Sequence, residues 1–277
     1  MSANKQRSTD HDTKCRHILS LSGGKDSTAL AIHMKGRIPE MEYVFCDTGE
    51  ELRETKGYID KLEAYLGQKI HRLNPERPFT HYLEVYRGVL PDARTRWCTR
   101  MLKIRPFERY VGDDPVISYV GIRADELHRK GYISSKANIT VKYPFIDDNI
   151  RIDGVHRIIE ESGLGLPDYY RWRSRSGCYF CFFQQRHEWA SLLETHPDLF
   201  WKAASFEKSD PETGERFTWV ENESLKELSS PARLAEIKAE YVKRRAKLAA
   251  SLSKDASLQQ VFGDDLGPGS ACLVCHL

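Results

Sequence analysis

Six consecutive residues near the amino end, Ser22 to Ser27, combine two glycines with an amine, a carboxylate and two hydroxyls. They follow a short apolar run at residues 16–21 and precede apolar residues at helical spacing over 25–35. Glycine lets a backbone approach an anion closely, and the N–H groups at the start of a helix favour phosphate. The spacing is not that of the G-x-x-x-x-G-K-S/T nucleotide loop. The segment therefore predicts a phosphate-binding loop, for which an ordinary tight turn is the alternative.

Seven cysteines are the second group of residues that could do chemistry. An odd number without a signal peptide argues against a disulfide framework. The C-x-x-C spacing favours thiolate ligation of a metal ion or cluster, and unligated buried thiols are the alternative. Two such pairs occur, Cys178/Cys181 and Cys272/Cys275, beside the single residues Cys15, Cys46 and Cys98.

The composition is that of a globular chain. Its 277 residues include 42 Lys+Arg and 40 Asp+Glu, a net charge of +2, and 40% are hydrophobic. These values exclude a disordered chain and a disulfide-built miniprotein. No apolar run approaches the roughly 20 residues that a bilayer helix needs, and residues 1–14 lack an apolar signal-peptide core. We therefore expect a cytoplasmic protein without membrane partners, in which any contact with nucleic acid comes from local basic patches.

Apolar runs and helical periodicity alternate in the first half of the chain. Strands are predicted at 16–21, 42–46, 69–73 and 116–120, and helices at 25–35 and 52–66. This alternation indicates an α/β fold with a mostly parallel sheet flanked by helices, followed by a mainly helical C-terminal part. We expect a flexible tail at 1–15, a nucleotide-binding α/β domain at 16–150, and a helical region at 151–277 that carries both C-x-x-C pairs.

Four ordered segments resemble a known family. The loop at 22–27 is similar to the pyrophosphate loop of the PP-loop ATP pyrophosphatases, or adenine nucleotide alpha hydrolases, and more narrowly to the sulfonucleotide (PAPS) reductase branch. The further segments are Cys-Asp-Thr-Gly-Glu-Glu at 46–51, Trp-Cys-Thr-Arg-Met-Leu-Lys-Ile-Arg-Pro at 97–106 and Gly-Ile-Arg-Ala-Asp-Glu at 121–126. The resemblance spans about residues 16–185 and implies a Rossmann-like fold.

The resemblance implies cleavage of ATP between its α and β phosphates. An acceptor oxygen becomes an adenylate, and a nucleophile then displaces AMP. Lys25 would assist the loop with pyrophosphate, Asp26 would help to place Mg²⁺, and Lys103 and Arg123 would face the α-phosphate. A surface arginine and a helix N-cap are the alternatives for Arg123 and for Asp47 with Thr48. The implied nucleotide-binding residues are Ser22, Gly23, Gly24, Lys25, Asp26, Ser27, Asp47, Thr48 and Gly121.

The same resemblance bears on the cysteines. Cys98, Cys178 and Cys181 fall where iron–sulfur members of the branch hold a [4Fe–4S] cluster, although Trp97-Cys98 replaces the Cys-Cys pair of that branch. We expect Cys178, Cys181 and at least one of Cys272 and Cys275 to be ligands, and Cys98 to be either the remaining ligand or a nearby thiol. Zinc is the rival metal, because the spacing alone does not distinguish the two.

Basic residues interleaved with aromatic rings suggest nucleic acid. Five lie between Arg94 and Arg105 with no acid among them, and residues 169–175 read Tyr-Tyr-Arg-Trp-Arg-Ser-Arg just before Cys178. A helix predicted at 231–252 carries six basic and two acidic residues between Arg233 and Lys247, for which a solvated face is the alternative.

Three functions are compatible with these features. The first is ATP-dependent transfer of sulfur to a nucleic acid, by resemblance to the PP-loop component of bacterial DNA phosphorothioation systems; a cysteine desulfurase and other modification subunits would be its partners. The second is a sulfonucleotide reductase, although residues 274–277, Val-Cys-His-Leu, lack the Glu and Gly of the E-C-G-L-H setting. The third is a non-catalytic, metal-stapled nucleic-acid-binding subunit.

Overall fold

A five-stranded parallel sheet forms the centre of the computed structural model, which describes residues 15–126, 136–209 and 214–251. The spatial order is β3-β2-β1-β4-β5. The sheet confirms the predicted α/β fold, and β5 is a strand that the sequence did not predict. The strands are β1 (Arg16–Leu21), β2 (Met41–Cys46), β3 (Ile70–Leu73), β4 (Val116–Tyr119) and β5 (Ile139–Lys142).

The strand order creates a switch point between β1 and β4. The chain runs outward from β1 through β2 to β3, and then returns to the other side of β1 with β4 and β5. At such a point the connections that leave the two neighbouring strands diverge, and ligands of open α/β sheets bind in the crevice between them. The predicted phosphate loop follows β1, so the topology places it at this crevice.

Helices cover both faces of the sheet. Side chains alternate along β1, so Leu19 and Leu21 pack with α1, α2 and α7, whereas Ile18 packs with α5 on the other face. The helices of this part are α1 (Lys25–Met34), α2 (Arg53–Leu66), α3 (Phe79–Val85), α4 (Trp97–Thr99), α5 (Arg105–Val111), α6 (Pro144–Asp147) and α7 (Ile152–Glu161), with a π-helical turn at Arg100–Ile104.

The C-terminal part is mainly helical, as predicted. Its aromatic core includes Phe180, Trp189 and Trp219, and Phe79 of α3 joins it with a ring-centroid distance of 4.3 Å to Phe180. The elements are a 3-10 helix (Asp168–Arg171), α8 (Arg186–Thr195), α9 (Pro197–Ala204), the strand pair β6 (Lys208–Ser209) and β7 (Arg216–Phe217), α10 (Leu225–Leu228) and α11 (Pro231–Ser251).

The predicted boundary at residue 150 falls just before α7. This helix packs against α1, and its Val155 and Ile159 belong to the same hydrophobic cluster as Leu19. The division into domains stays a prediction. The expected tail, apart from Cys15, and the pair Cys272/Cys275 lie outside the described residues. No helix in the described part of the chain has the length and apolar character that crossing a membrane would need.

Candidate active site

The phosphate loop connects β1 to α1 and depends on its glycines. Gly23 has φ +74°, and a Cβ atom there would lie 2.8 Å from Cγ2 of Thr55. A Cβ atom on Gly24 would lie 2.7 Å from Oγ of Ser176. Both positions therefore exclude a side chain, the first by backbone conformation as well as by space.

The two loop hydroxyls bond within the loop. The backbone N–H of Ser22 donates to Oγ of Ser27 at 3.2 Å, and the N–H of Gly24 donates to Oγ of Ser22 at 3.3 Å. Ser27 Oγ also donates to the carbonyl of Gly24 at 3.2 Å. Ser22 and Ser27 thus fix the shape of the turn, a role that the sequence analysis did not assign to them.

Residues of the C-terminal part contact this loop directly. The phenol of Tyr170 accepts a hydrogen bond from the backbone N–H of Lys25 at 2.9 Å, and the phenol of Tyr169 donates to the carbonyl of Gly23 at 2.7 Å. Ser176 Oγ lies 3.2 Å from Ser22 Oγ. The loop is therefore built between the two parts of the chain.

Arg123 crosses the switch point to reach the loop. Its Nη1 lies 2.9 Å from Oδ1 of Asp26, and further contacts reach Oδ1 of Asp125 at 3.1 Å and Oε1 of Glu126 at 3.3 Å. A Cβ atom on Gly121 would lie 3.1 Å from the carbonyl oxygen of Asp26, so this glycine allows the β4 end to approach α1. Lys25 is buried beside them. Two of the predicted catalytic cations and the loop carboxylate therefore lie together.

The end of β2 lies beside the first C-x-x-C segment, that of Cys178 and Cys181. Thr48 Oγ1 lies 3.4 Å from the sulfur of Cys178 and donates to Oε1 of Glu51 at 2.7 Å. Glu51 and Cys178 form an isolated antiparallel bridge. Asp47 accepts from the N–H of Gly49 at 2.9 Å and pairs with Lys56 at 3.1 Å, so it shapes this turn.

Lys103 belongs to this second cluster. Lys103 lies in the π-helical turn, and its backbone carbonyl accepts a hydrogen bond from the thiol of Cys46 at 3.7 Å. Burial opposes its ammonium charge, but the neighbouring Cys178 and Glu51 outweigh that effect and hold the pKa of Lys103 above its usual value. The structure therefore places Lys103 among the cysteines and Arg123 at the loop.

Burial controls the protonation of the groups around Lys103. It raises the pKa of Glu51 to about 7, although the Lys103 charge opposes the shift. It raises the pKa of the Cys98 thiol to about 11, and the nearby Cys181 adds to the effect. The pKa of the Cys178 thiol is also raised, first by burial and then by Glu51. Cys98 and Cys178 are therefore protonated at neutral pH, and ligation of a metal would release their protons.

The structure brings three of the five predicted metal ligands into one neighbourhood. Cys98 raises the pKa of Cys178, and Cys181 raises the pKa of Cys98, so the three thiols lie within electrostatic range of one another. Among residues 15–126, 136–209 and 214–251, however, no three cysteine, histidine or acidic side chains are arranged to hold a metal ion. The described thiols alone do not fit a closed site, which needs at least a fourth ligand.

Two buried charges hold the segment that carries Cys178 and Cys181. The guanidinium of Arg173 donates to the carbonyl of Cys178 at 2.6 Å. Glu188 is fully buried and accepts from the N–H of Ser174 at 2.7 Å, from its hydroxyl at 2.8 Å, and from the N–H of Gln185 at 2.8 Å. One carboxylate thus joins both ends of the segment.

Sequence reasoning missed several residues of this site. Glu51 lies in a segment that carried the resemblance, but its burial beside Lys103 required the fold. Tyr169 and Tyr170 were read as part of a basic, aromatic patch, whereas their hydroxyls bond the loop. The capping spacing Gln185–Glu188 was the available signal for Glu188.

The chain is similar to proteins of archaea and of a phage. Two uncharacterized proteins of Methanocaldococcus jannaschii are 28% and 27% identical over 198 and 218 residues, which are 67% and 75% of this chain but 40% and 49% of theirs. An uncharacterized 37.8 kDa protein of Escherichia phage 186 is 24% identical, over 69% of this chain and 74% of its own. The chain therefore spans less than half the length of the two archaeal relatives.

A family model and a solved structure are similar to parts of the chain. The crystal structure of phosphoadenylyl-sulfate (PAPS) reductase from Candida auris, in a phosphate complex, superposes with a TM-score of 0.47 at 14% identity, over 60% of this chain and 82% of that one. Residues 16–139 match the phosphoadenosine phosphosulfate reductase domain family. The predicted resemblance to the PAPS-reductase-like branch of the PP-loop ATP pyrophosphatases is thereby confirmed over residues 16–139, which are less than half of the chain.

Proposed function

We propose that this protein binds ATP with Mg²⁺ at the loop of residues 22–27 and cleaves it to AMP and pyrophosphate. The observation that carries the proposal is the position of this loop, with its buried Lys25, at the switch point between β1 and β4. Backbone N–H groups at the start of α1 and a buried ammonium suit a departing diphosphate.

The residues at the loop have distinct roles in this proposal. Lys25 neutralises charge on the diphosphate, and the glycines let the backbone approach it. Arg123 fixes the Asp26 carboxylate through their contact at 2.9 Å and supplies positive charge beside the α-phosphate. Asp26 is the loop carboxylate that would hold Mg²⁺, which supplies further neutralisation of phosphate charge when bound.

The test is product analysis after incubation with ATP and Mg²⁺. We expect AMP and pyrophosphate, and Lys25→Ala should reduce their formation by roughly 100-fold or more, because it removes a charge at the developing diphosphate. Lys35→Ala is the matched control, since Lys35 caps the other end of α1 and is exposed. ADP and phosphate as products, or full activity of Lys25→Ala, would contradict the proposal.

Nucleic acid is the acceptor that the surface near the cysteines supports best. The guanidinium groups of Arg96 and Arg175 lie 5.6 and 5.0 Å from the ring centroid of Phe183, two residues after Cys181. Arginine beside an aromatic ring suits phosphate and stacked bases. The reaction would then be sulfur transfer of the DNA phosphorothioation type, with a cysteine desulfurase as sulfur donor. Mass spectrometry of nuclease-digested DNA and RNA, from cells with the wild-type or the Lys25→Ala gene, tests for the sulfur.

A metal centre at the three thiols is a separate part of the proposal. Cys98, Cys178 and Cys181 would provide three ligands, and Cys272 or Cys275 would complete the set. A [4Fe–4S] cluster at this position would supply a soft site for sulfur, and zinc is the alternative. The ATP chemistry at the loop does not depend on which metal binds.

Reduction of a sulfonucleotide is the second candidate, and the family match of residues 16–139 favours it. It differs from the leading proposal in a measurable way, because APS or PAPS with a thiol reductant would release sulfite without ATP. The third possibility, a binding subunit without catalysis, predicts ATP binding with no AMP formed.

A further inference from the structure

A cavity lies beside the C-x-x-C segment of Cys178 and Cys181. It has a volume of about 430 Å³ and is enclosed by the segment after Cys181, the turn at 219–221 and helix α11. Phe182, Trp219 and Ile237 provide its apolar walls, and Arg186 and Arg244 lie at its exposed rim. A volume of this size suits a small planar ligand.

Gln184 gives this cavity an unused hydrogen-bonding group. The residue lines the cavity and is only 7% exposed, and neither its amide nitrogen nor its amide oxygen has a hydrogen-bond partner in the described part of the chain. Buried polar groups in proteins are nearly always paired, so this amide indicates a missing ligand. It offers one donor and one acceptor side by side.

The surroundings of the amide define the class of ligand. Nucleobases are planar and carry an adjacent donor and acceptor on one edge, which a glutamine amide can match with two hydrogen bonds. Aromatic walls suit their faces, and His187 and Tyr241, which also line the cavity, already stack on each other at 3.9 Å. Arg186 and Arg244 at the rim suit the attached phosphates, although Arg186 also pairs with Glu223 at 2.9 Å and Glu221 and Glu240 line the same cavity.

The cavity is linked to the candidate active site through a single short segment. The N–H of Gln184 donates to the carbonyl of Cys181 at 2.8 Å, and Ser176 of the same segment contacts the phosphate loop. A base held by Gln184 would therefore lie within a few residues of the thiols.

We infer that this cavity binds one nucleobase of a phosphate-bearing ligand, so that Gln184 selects the acceptor strand beside the thiols. The inference rests on the proposed nucleic-acid acceptor. The nucleobase and its phosphate could belong to a nucleic-acid strand or to a free mononucleotide, and the experiment distinguishes these two ligands.

The test measures binding without ATP, using fluorescein-labelled 12-mers of single-stranded DNA, an abasic strand of equal length, and AMP as a competitor. We expect homopolymer strands to bind more tightly than the abasic strand. Gln184→Met should remove that difference with a loss of roughly tenfold for the preferred base, the effect of one bidentate contact. If AMP displaces the labelled strand at the same concentration as an unlabelled strand does, the ligand of the cavity is a free mononucleotide.

Stability separates a ligand-binding role of Gln184 from a structural one. Gln184→Met preserves the volume and removes an unpaired buried amide, so the melting temperature should stay the same or rise. Gln68→Met, at an exposed position after α2, is the control. Equal binding of abasic and normal strands, unchanged binding by Gln184→Met, or a lower melting temperature would overturn the inference. AMP formation by the wild-type protein, measured in parallel, shows separately whether the ATP proposal holds.

Discussion

The guanidinium of Arg123 is 4% exposed and contacts three carboxylates, those of Asp26, Asp125 and Glu126. A buried charge is tolerated only while its partners are present, since removing one partner leaves the others desolvated and unpaired. Surface ion pairs behave differently, because water already solvates both charges. Arg123 therefore combines a structural role with its proposed role at the α-phosphate.

Arg123→Ala should lower the free energy of unfolding by roughly 3 kcal/mol, because it leaves Asp26 and Glu126 uncompensated. Urea denaturation followed by circular dichroism measures the change. The control is Arg109→Ala, which breaks the exposed pair with Glu76 at 2.8 Å and should cost less than about 1 kcal/mol. Equal effects of the two substitutions would show that Arg123 is not acting as a buried charge.

At the residue scale, the sequence indicated which residues are candidates for the site, but not which other side chains each of them contacts. The loop residues 22–27 were predicted because their types and spacing suit phosphate, and Arg123 was predicted from the resemblance of its segment and its place after a strand. The bonds of Ser22 and Ser27 within the loop were not predicted, since they depend on a turn conformation that Gly23 adopts only in the folded chain. The neighbours of Lys103 were also beyond reach, because Glu51 and Cys178 are far from it in sequence.

The segment from Arg173 to Glu188 is irregular, yet it carries two thiols, a loop contact and the cavity amide. An irregular segment keeps one conformation only if its polar backbone groups are paired. Glu188 provides this pairing from the first turn of α8, where the positive end of the helix dipole also favours a carboxylate.

Glu188→Ala should destabilise the protein by about 3 kcal/mol, since it leaves two partly buried N–H groups and a hydroxyl without their acceptor. The same substitution should lower AMP formation, because Ser176 of the segment supports the phosphate loop. Glu160→Ala, at an exposed position on α7, is the control and should change stability by less than about 0.5 kcal/mol. A stable, active Glu188→Ala protein would show that the segment holds its shape by packing alone.

Across the whole molecule, the thiols come from distant parts of the chain. Cys98 precedes the π-helical turn of the α/β part, whereas Cys178 and Cys181 belong to the C-terminal part. A metal bound to all three would join these parts, and its binding free energy would add to the stability of the fold.

Protein purified without oxygen should therefore contain iron and acid-labile sulfide, and removing the metal with a chelator should lower the melting temperature. Cys178→Ser should lose the metal, whereas Cys15→Ser, just before β1, should retain it. Zinc without acid-labile sulfide would show a zinc site in place of the cluster. A protein with neither iron nor zinc would contradict the proposed metal centre.

The sheet shows what the sequence could and could not predict at this scale. Three strands had clear apolar runs and residues 69–73 a weaker strand pattern, so the existence of these strands and the α/β class were predictable. β5 was missed because its four residues, Ile-Thr-Val-Lys, form too short a segment for their alternation of apolar and polar side chains to stand out. The strand order was not predictable either, since pairing of β1 with β4 joins residues about a hundred positions apart.

The phenol of Tyr170 has one more consequence. Its oxygen accepts a hydrogen bond from the backbone N–H of Lys25, and an incoming diphosphate would require the same N–H group. The diphosphate and the phenol would compete for the same N–H group. Binding of the nucleotide would therefore displace the side chain of Tyr170, which lies eight residues before Cys178 in the sequence. Binding of the nucleotide at the loop would in this way be coupled to the position of the segment that leads to Cys178 and Cys181.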